Sequence, residues 1–265
     1  MSKYSWDAED YARHSSAQLS WARELISKLN LNGDENILDI GCGDGKVTAE
    51  IAANVPNGSV VGVDNSESMI NLAKTNYPSR KYPNLSFQLA DAQKLPFEQK
   101  FEVVFSNAAL HWVIDHIPVL EGIYKSLRPG GRILLQMGGQ GNAASVISVL
   151  DEVKAEAEWC SYFKDFEFPY GFHCPKDYKR WLKYSGFNPI RVELFTKDMI
   201  HDGRSGLAGW IRTTWLPYTQ RIPKQKREVF IDEIVNRYIQ KNPPDSEGKI
   251  YVKMVRLEVE AIKNA

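Results

Sequence analysis

The chain has 265 residues, 43% of them hydrophobic and 25% charged, a composition that suits a soluble globular protein able to bury a substantial core. Its 33 basic and 33 acidic residues cancel, which argues against the basic excess of a nucleic-acid-binding domain. No apolar run approaches the length of a membrane span.

Three scattered cysteines, Cys42, Cys160 and Cys174, give neither a disulfide framework nor metal-ligand spacing, and the adjacent pair His173-Cys174 has no partners at such spacing. The N-terminus lacks the basic-then-apolar layout of a signal peptide. These features predict a cytoplasmic protein with reduced thiols and no metal. They also predict no nucleic-acid or membrane partner, and a monomer or homodimer. The tight basic cluster Lys224-Gln225-Lys226-Arg227 reads as the solvated start of a helix.

In chain order, about Ala8 to Leu29 reads as an amphipathic helix with apolar groups at Leu19, Ala22, Leu25, Ile26 and Leu29. Strands follow at Asn36–Ile40, Val60–Val63, Leu85–Leu89, Phe101–Phe105 and Arg132–Met137. Helical stretches near Lys46–Ala53, Glu67–Lys74 and Ile117–Leu127 separate several of them. Such alternation implies parallel strands joined by right-handed crossovers, with helices on both faces. Arg128-Pro129-Gly130-Gly131 ends a helix and turns into the next strand.

Beyond about Gly138 the pattern changes. Asn142 to about Trp159 reads as helix, followed by an aromatic-rich segment with Tyr162, Phe163, Phe166, Phe168, Tyr170 and Phe172. A helix is expected at Lys176–Ser185 and a strand at Phe187–Phe195. Further helices are expected at roughly Gly206–Leu216 and Lys224–Ile239. In Ile250–Val259, Ile250, Val252 and Met254 share one face, as in a final, antiparallel strand. The aromatic density suits the apolar body of a small ligand.

The stretch Leu38-Asp39-Ile40-Gly41-Cys42-Gly43-Asp44-Gly45-Lys46 carries the most information. A strand breaks into three alternating glycines and then into a helix, the nucleotide-binding corner of a doubly wound sheet. Asp39 and Asp44 place two carboxylates at this turn. A pyrophosphate fits poorly beside them, whereas S-adenosylmethionine, with its sulfonium and ammonium, fits well. Asp64 ends the second strand, where an acid accepts hydrogen bonds from ribose hydroxyls. Asn65 or Ser66 is placed to cap the next helix. Asp91-Ala92 follows the third strand, where a carboxylate and a backbone N–H suit an adenine edge. Ser106-Asn107-Ala108-Ala109-Leu110-His111-Trp112 follows the fourth, facing the reactive end of a ligand lying across the first strand.

Together LDIGCGDG, VVGVDNSESMI, LADAQKLPF, FSNAALHW and LRPGGRILL resemble the class I S-adenosylmethionine-dependent methyltransferases over roughly Glu35 to Met137. The resemblance implies an α/β, doubly wound, Rossmann-like sheet of seven mostly parallel strands with helical lid insertions. It assigns residues 33–140, 186–200 and 249–265 to the core and 1–32 to an N-terminal helical cap. The segments 141–185 and 201–248 become a helical, aromatic substrate lid. It implies S-adenosylmethionine as cofactor, with Asp39 on the methionine moiety and Gly41, Gly43 and Gly45 forming the turn. Asp64 and Asn65 would sit at the ribose, Met69, Asp91 and Ala92 at the adenine, and Asn107 on the methionine side.

Trp6-Asp7 through Tyr11, FSNAALHW, and the run Gly209-Trp210-Ile211-Arg212-Thr213-Thr214-Trp215-Leu216-Pro217-Tyr218 look like the trans-aconitate methyltransferases. Those enzymes have an arginine in the N-terminal helix where this sequence has Gln18. Gln18, His111-Trp112 and Phe168 to His173 look more like the insect juvenile hormone acid methyltransferases. There a glutamine and a tryptophan hold one carboxylate. This implies Gln18, Trp112 and His111 as catalytic residues. Tyr11, Tyr170, His173, Arg212, Trp215 and Tyr218 become the substrate residues around a small-molecule methyl acceptor.

A carboxylate acceptor is ionised at neutral pH and needs no base; a phenol or alcohol would need one, and His111 is the nearest candidate. No N/D-P-P-Y/W motif follows the fourth strand, and Asn242-Pro243-Pro244-Asp245 falls in a late loop. Two other readings stay open on the residues alone: a catalytically idle cofactor-binding relative, and a nicotinamide-dependent oxidoreductase.

Overall fold

Short apolar runs rich in Val, Ile and Phe become a buried sheet because β-branched and aromatic side chains fill a pleated surface covered on both faces. In the computed structural model, which describes residues 16–264, the strands are β1 (Asn36–Ile40), β2 (Ser59–Asp64), β3 (Leu85–Leu89), β4 (Phe101–Asn107), β5 (Leu127–Gly138), β6 (Phe187–Asp202) and β7 (Lys249–Lys263). They form one sheet in the order β3-β2-β1-β4-β5-β7-β6. Neighbours among β1 to β5 run parallel, and β7 is antiparallel to both β5 and β6.

The helices are α1 (Ser16–Ser27), α2 (Lys46–Ala53), α3 (Glu67–Asn76), α4 (Ile117–Ser126), α5 (Ala144–Lys154), α6 (Pro175–Tyr184), α7 (Gly203–Thr214), α8 (Leu216–Thr219) and α9 (Arg227–Lys241). On one face, Leu25 of α1, Ile51 of α2 and Ile70 of α3 pack on Ile37, Val60 and Phe105. On the other, Leu120 of α4 and Tyr178 of α6 pack on Leu38, Val104 and Leu135. The doubly wound architecture and the seven strands agree with the sequence reading. Among the described residues no helix is long and apolar enough to cross a membrane, and no cluster of three or more metal-ligating side chains occurs.

The sheet's far edge departs from expectation. β5 pairs with β7 only over Arg256–Ile262, whereas β6 and β7 stay paired across Lys249–Lys263. Thr196–Asp202 and Lys249–Val255 thus run on past the sheet as a two-stranded ribbon. Its apolar face (Met199, Ile250, Val252, Met254) packs against α5, α7 and α9 in a third core of its own. The sequence reading ended this strand at Phe195; pairing with β7 carries it on through the polar Thr196-Lys197-Asp198. At β5, Arg128 to Gly131 loop out opposite Glu102, and parallel pairing resumes at Arg132.

The strand order reverses between β1 and β4: the chain leaves β1 toward β2, then returns from β3 to β4 on the other side. Such a switch point opens a crevice at the carboxyl ends of the two strands. β1 ends in the glycine turn and β4 in the segment Asn107 to Trp112.

Candidate active site

The glycine turn is built from backbone that other residues adopt at a cost. Gly41, Gly43 and Gly45 have φ of 78°, 53° and 85°, the left-handed region that glycine enters freely. Gly41 and Cys42 donate their N–H groups to Val63 O at 2.7 and 3.0 Å, which ties the turn to the end of β2. A Cβ at Gly41 would lie 2.1 Å from Ala109 Cβ, so the loops after β1 and β4 touch here. A Cβ at Gly43 would meet nothing within 4 Å; it would point into the crevice.

Asp64 joins two turns. Its Oδ2 accepts from Gly43 N at 3.0 Å and its Oδ1 from Ser66 N at 2.9 Å. Ser66 caps α3, accepting from Met69 N at 3.5 Å. An ionised carboxylate has about four acceptor positions, so Asp64 can hold both turns and still face a ligand. Burial raises its pKa above the usual carboxylate range.

Asp39 lies behind the turn, 2% exposed, with Oδ2 accepting from Thr48 Oγ1 at 2.7 Å. Burial is the main cause pushing its pKa up to about 7, and the Asp64 charge adds to it. Among the described residues no ion pair offsets either carboxyl, so a cation above the turn would favour their ionised forms and be held by them. Asp44 does not contribute as the sequence reading supposed: Lys46 Nζ pairs with its Oδ2 at 3.0 Å, and the two charges cancel.

The crevice has a volume of about 460 Å³. Gly41, Gly43, Asp64, Asn65, Met69, Asp91 and Ala92 all line it, seven of the ten residues assigned to the cofactor. Gly45 packs beneath the turn against Phe87 and Tyr77. Asp91 caps the short turn Ala92–Lys94 by accepting from Gln93 N at 2.9 Å. Asp39 and Asn107 lie just outside the lining, and Asn107 Oδ1 is buried with no hydrogen-bond partner among the described residues. The opposite wall is Ala108 to Leu110, Trp112 to Ile114, and the segment Asp165 to Pro169 with Arg221. Ala108 has φ 55°, a strained conformation for a residue with a Cβ, and its N–H donates to Gln136 O at 2.8 Å.

Behind this wall lies a second cavity of about 60 Å³. Ala108 and Trp112 belong to both linings. His111, Tyr170, Trp215 and Arg256 complete much of the inner one. His111 is buried beside aromatic rings, with Trp112, Tyr170 and Phe172 about 6 Å away. Burial above all, then the positive charge of Arg256, pushes its pKa down to about 3.

The predicted substrate residues separate. Tyr170 and Trp215 line the inner cavity, and Tyr170 Oη donates to Thr214 O at 3.1 Å. Tyr218 lies in the aromatic core against Phe163, Phe166 and Trp215. His173 packs on His116 and Trp181, outside both linings. Arg212 faces Glu228, its Nε and Nη2 donating at 3.0 and 2.7 Å. These three serve packing or pairing rather than a cavity. Gln18 falls in the first turn of α1, but its side chain lies outside the described residues, as does Tyr11.

The aromatic segment is also mostly core: Trp159 and Phe163 pack on Phe230, and only Phe166 and Phe168 reach the crevice. Sequence reasoning missed Arg256. The signal was present, since Arg256 continues the Ile250, Val252, Met254 face as a charge where another apolar residue was due.

The buried histidines have a measurable consequence. Burial pushes His111 down to about 3 and His116 and His201 to about 4. At pH 5 the unfolded chain carries three imidazole protons that the native state excludes, while native Asp39 holds one proton the unfolded chain lacks. The unfolded state then binds about two more protons, so stability falls on acidification, by roughly 3 kcal/mol per pH unit near pH 5. Urea unfolding at pH 7.5, 6 and 5 measures this; a stability flat over that range would contradict it.

Residues 31–186 match the family model described as a methyltransferase domain. Over 97% of its length the chain is 29% identical to an uncharacterized methyltransferase of Schizosaccharomyces pombe, covering 98% of that protein. It is 27% identical to a trans-aconitate 2-methyltransferase of Variovorax paradoxus, over 98% of this chain and 99% of the relative. Among solved structures, the phosphoethanolamine N-methyltransferase 2 of Haemonchus contortus in complex with S-adenosyl-L-methionine shares the fold. The TM-score is 0.62 at 19% identity, over 97% of this chain and 57% of that one.

Proposed function

The chain belongs to the methyltransferase-domain family and is an S-adenosylmethionine-dependent enzyme; from that premise we propose that it methylates a carboxylate oxygen of a small molecule. The crevice fits the cofactor: an open approach at Gly43, the Asp64 carboxylate at the second strand's end, and Met69, Asp91 and Ala92 beyond it. When bound, S-adenosylmethionine supplies a sulfonium methyl group whose transfer leaves the electron pair of the broken C–S bond on sulfur. Asp39 and Asp64 lie beneath the turn, where a bound cation would favour their ionised forms against the burial that raises their pKa.

The observation that carries the carboxylate reading is the state of His111. A phenol or alcohol acceptor must lose a proton, and His111 is the base the sequence offers for it. Buried, and with Arg256 among the inner cavity's other walls, it is a poor proton acceptor. A carboxylate brings its own lone pair and no proton. The chain then has only to orient an oxygen and exclude water. Trp112, on the wall common to both cavities, and Gln18 on α1 are the side chains we assign to that orientation. Near-full-length similarity to trans-aconitate 2-methyltransferases supports the same acceptor chemistry.

The test is a labelled-methyl assay against small carboxylic acids, with phenols, alcohols and amines as controls. Turnover is expected among the acids. Turnover confined to the phenols or amines would overturn the proposal.

A further inference from the structure

The 60 Å³ inner cavity is too small for a whole cofactor or an aromatic acid, yet its walls carry unusual chemistry for so buried a space. Arg256 is 4% exposed. Its guanidinium lies 5.3 Å over the Trp21 ring, and its Nε donates to Gln136 Oε1 at a long 3.4 Å. The carboxylate two residues on, Glu258, is fully buried and already engaged, with Lys28 Nζ at 2.7 Å, Arg191 Nη1 at 2.5 Å and Gln136 Nε2 at 2.9 Å. Trp215 is 2% exposed, lines the same cavity, and its indole N–H has no acceptor among the described residues. A buried N–H without an acceptor costs about 1–3 kcal/mol. His111, in the same wall, is neutral and adds no competing charge.

We infer that this cavity is an anion site that receives the carboxylate group of a small aliphatic acid, with the Trp215 indole N–H and the Arg256 guanidinium as its recognition pair. The inference rests on the carboxyl-methylation reading for the identity of the anion as the acceptor. The arrangement supplies both requirements of buried carboxylate recognition: a positive charge close by and a directed donor waiting for an oxygen. Ala108 and Trp112 line both this space and the crevice, so a carboxylate held here lies beside the end of the crevice where the methyl donor's reactive end belongs. The cavity's size sets the specificity: a carboxylate and about one further carbon fit within it. The rest of the acceptor must pass Trp112 toward Phe166 and Phe168.

Two measurements test this, one independent of turnover. The protein saturated with S-adenosylhomocysteine is labelled with ¹⁵N, and the Trp215 indole resonance is identified by its loss in Trp215→Phe. Sodium acetate is then titrated at constant ionic strength, with acetamide as the neutral isostere. A saturable shift of that resonance with acetate, at least tenfold weaker or absent with acetamide and weakened in Arg256→Lys, is the expected result. An unmoved resonance overturns the site.

The second measurement uses Trp215→Phe, which keeps an aromatic ring at the position while removing the indole N–H together with the five-membered ring that carries it. Its affinity for S-adenosylhomocysteine should match the wild type, while KM for the best acid in the screen rises about tenfold or more. Unchanged KM, with acids still methylated, overturns the site and leaves the carboxyl-methylation reading standing. A saturable acetate shift with no acid methylated supports the anion site and removes the reading on which its link to the acceptor rests.

Discussion

Asp64→Ala is expected to weaken S-adenosylmethionine binding by about 100-fold or more. Two losses combine. The Gly43 and Ser66 N–H groups lose the acceptor they share, at about 1–3 kcal/mol each where they remain buried. The glycine turn thereby loses one tie to the end of β2, the Gly41 and Cys42 bonds to Val63 O remaining, and the acceptor assigned to the ribose goes with it. Asp64→Asn separates the two roles, because the amide oxygen can still accept from one of the two backbone donors. If Asp64 contacts the cofactor, Asn should restore much of the stability to urea and little of the affinity seen by calorimetry. Wild-type affinity in Asp64→Asn would leave Asp64 as a clip between two turns and nothing more.

The second large effect belongs to Gly41. Alanine there puts a methyl group 2.1 Å from Ala109 Cβ at a φ of 78°. Neither neighbour is the free end of a flexible chain, so one loop has to move. Left-handed strain and overpacking together cost about 2–4 kcal/mol, and the loop that moves carries Ala108 to Trp112, the wall shared by both cavities. Gly41→Ala should therefore lose stability and both ligands at once. Gly43→Ala is the control: it carries left-handed strain but no clash, and its methyl group would enter only the crevice. It should fold with a smaller loss and impair cofactor binding more than stability. Equal behaviour of the two variants would contradict this account of the turn.

The parts of the fold that periodicity governs were legible in the sequence. β1 and β3 fall on the expected residues, because buried parallel strands read as short apolar runs between turn residues. The ribbon beyond the sheet was not legible. Lys197 and His201 interrupt its inward face, and only pairing with β7 and burial beneath α7 hold Thr196–Asp202 extended. The crevice followed from local motifs on strand ends, so Gly41, Gly43, Asp64, Met69, Asp91 and Ala92 were within reach. The acceptor side was harder because it is assembled from segments far apart in sequence. Arg212 and Tyr218 had suggestive chemistry, but a surface carboxylate takes the first and the aromatic core the second. Asp44 shows the same limit: its charge was visible, whereas its neutralisation by Lys46 depended on the conformation of the turn.

The carboxyls beneath the glycine turn suit a cationic donor, and the proposed carboxylate acceptor rests on the neutral, buried His111. The most direct test of that pairing is the bond formed. Product made from methyl-labelled S-adenosylmethionine and the best small acid is isolated and treated with mild alkali. A methyl ester releases its label as volatile methanol, and near-complete release is the predicted result. Label that survives alkali, as in an ether or an N-methyl product, would contradict carboxylate methylation.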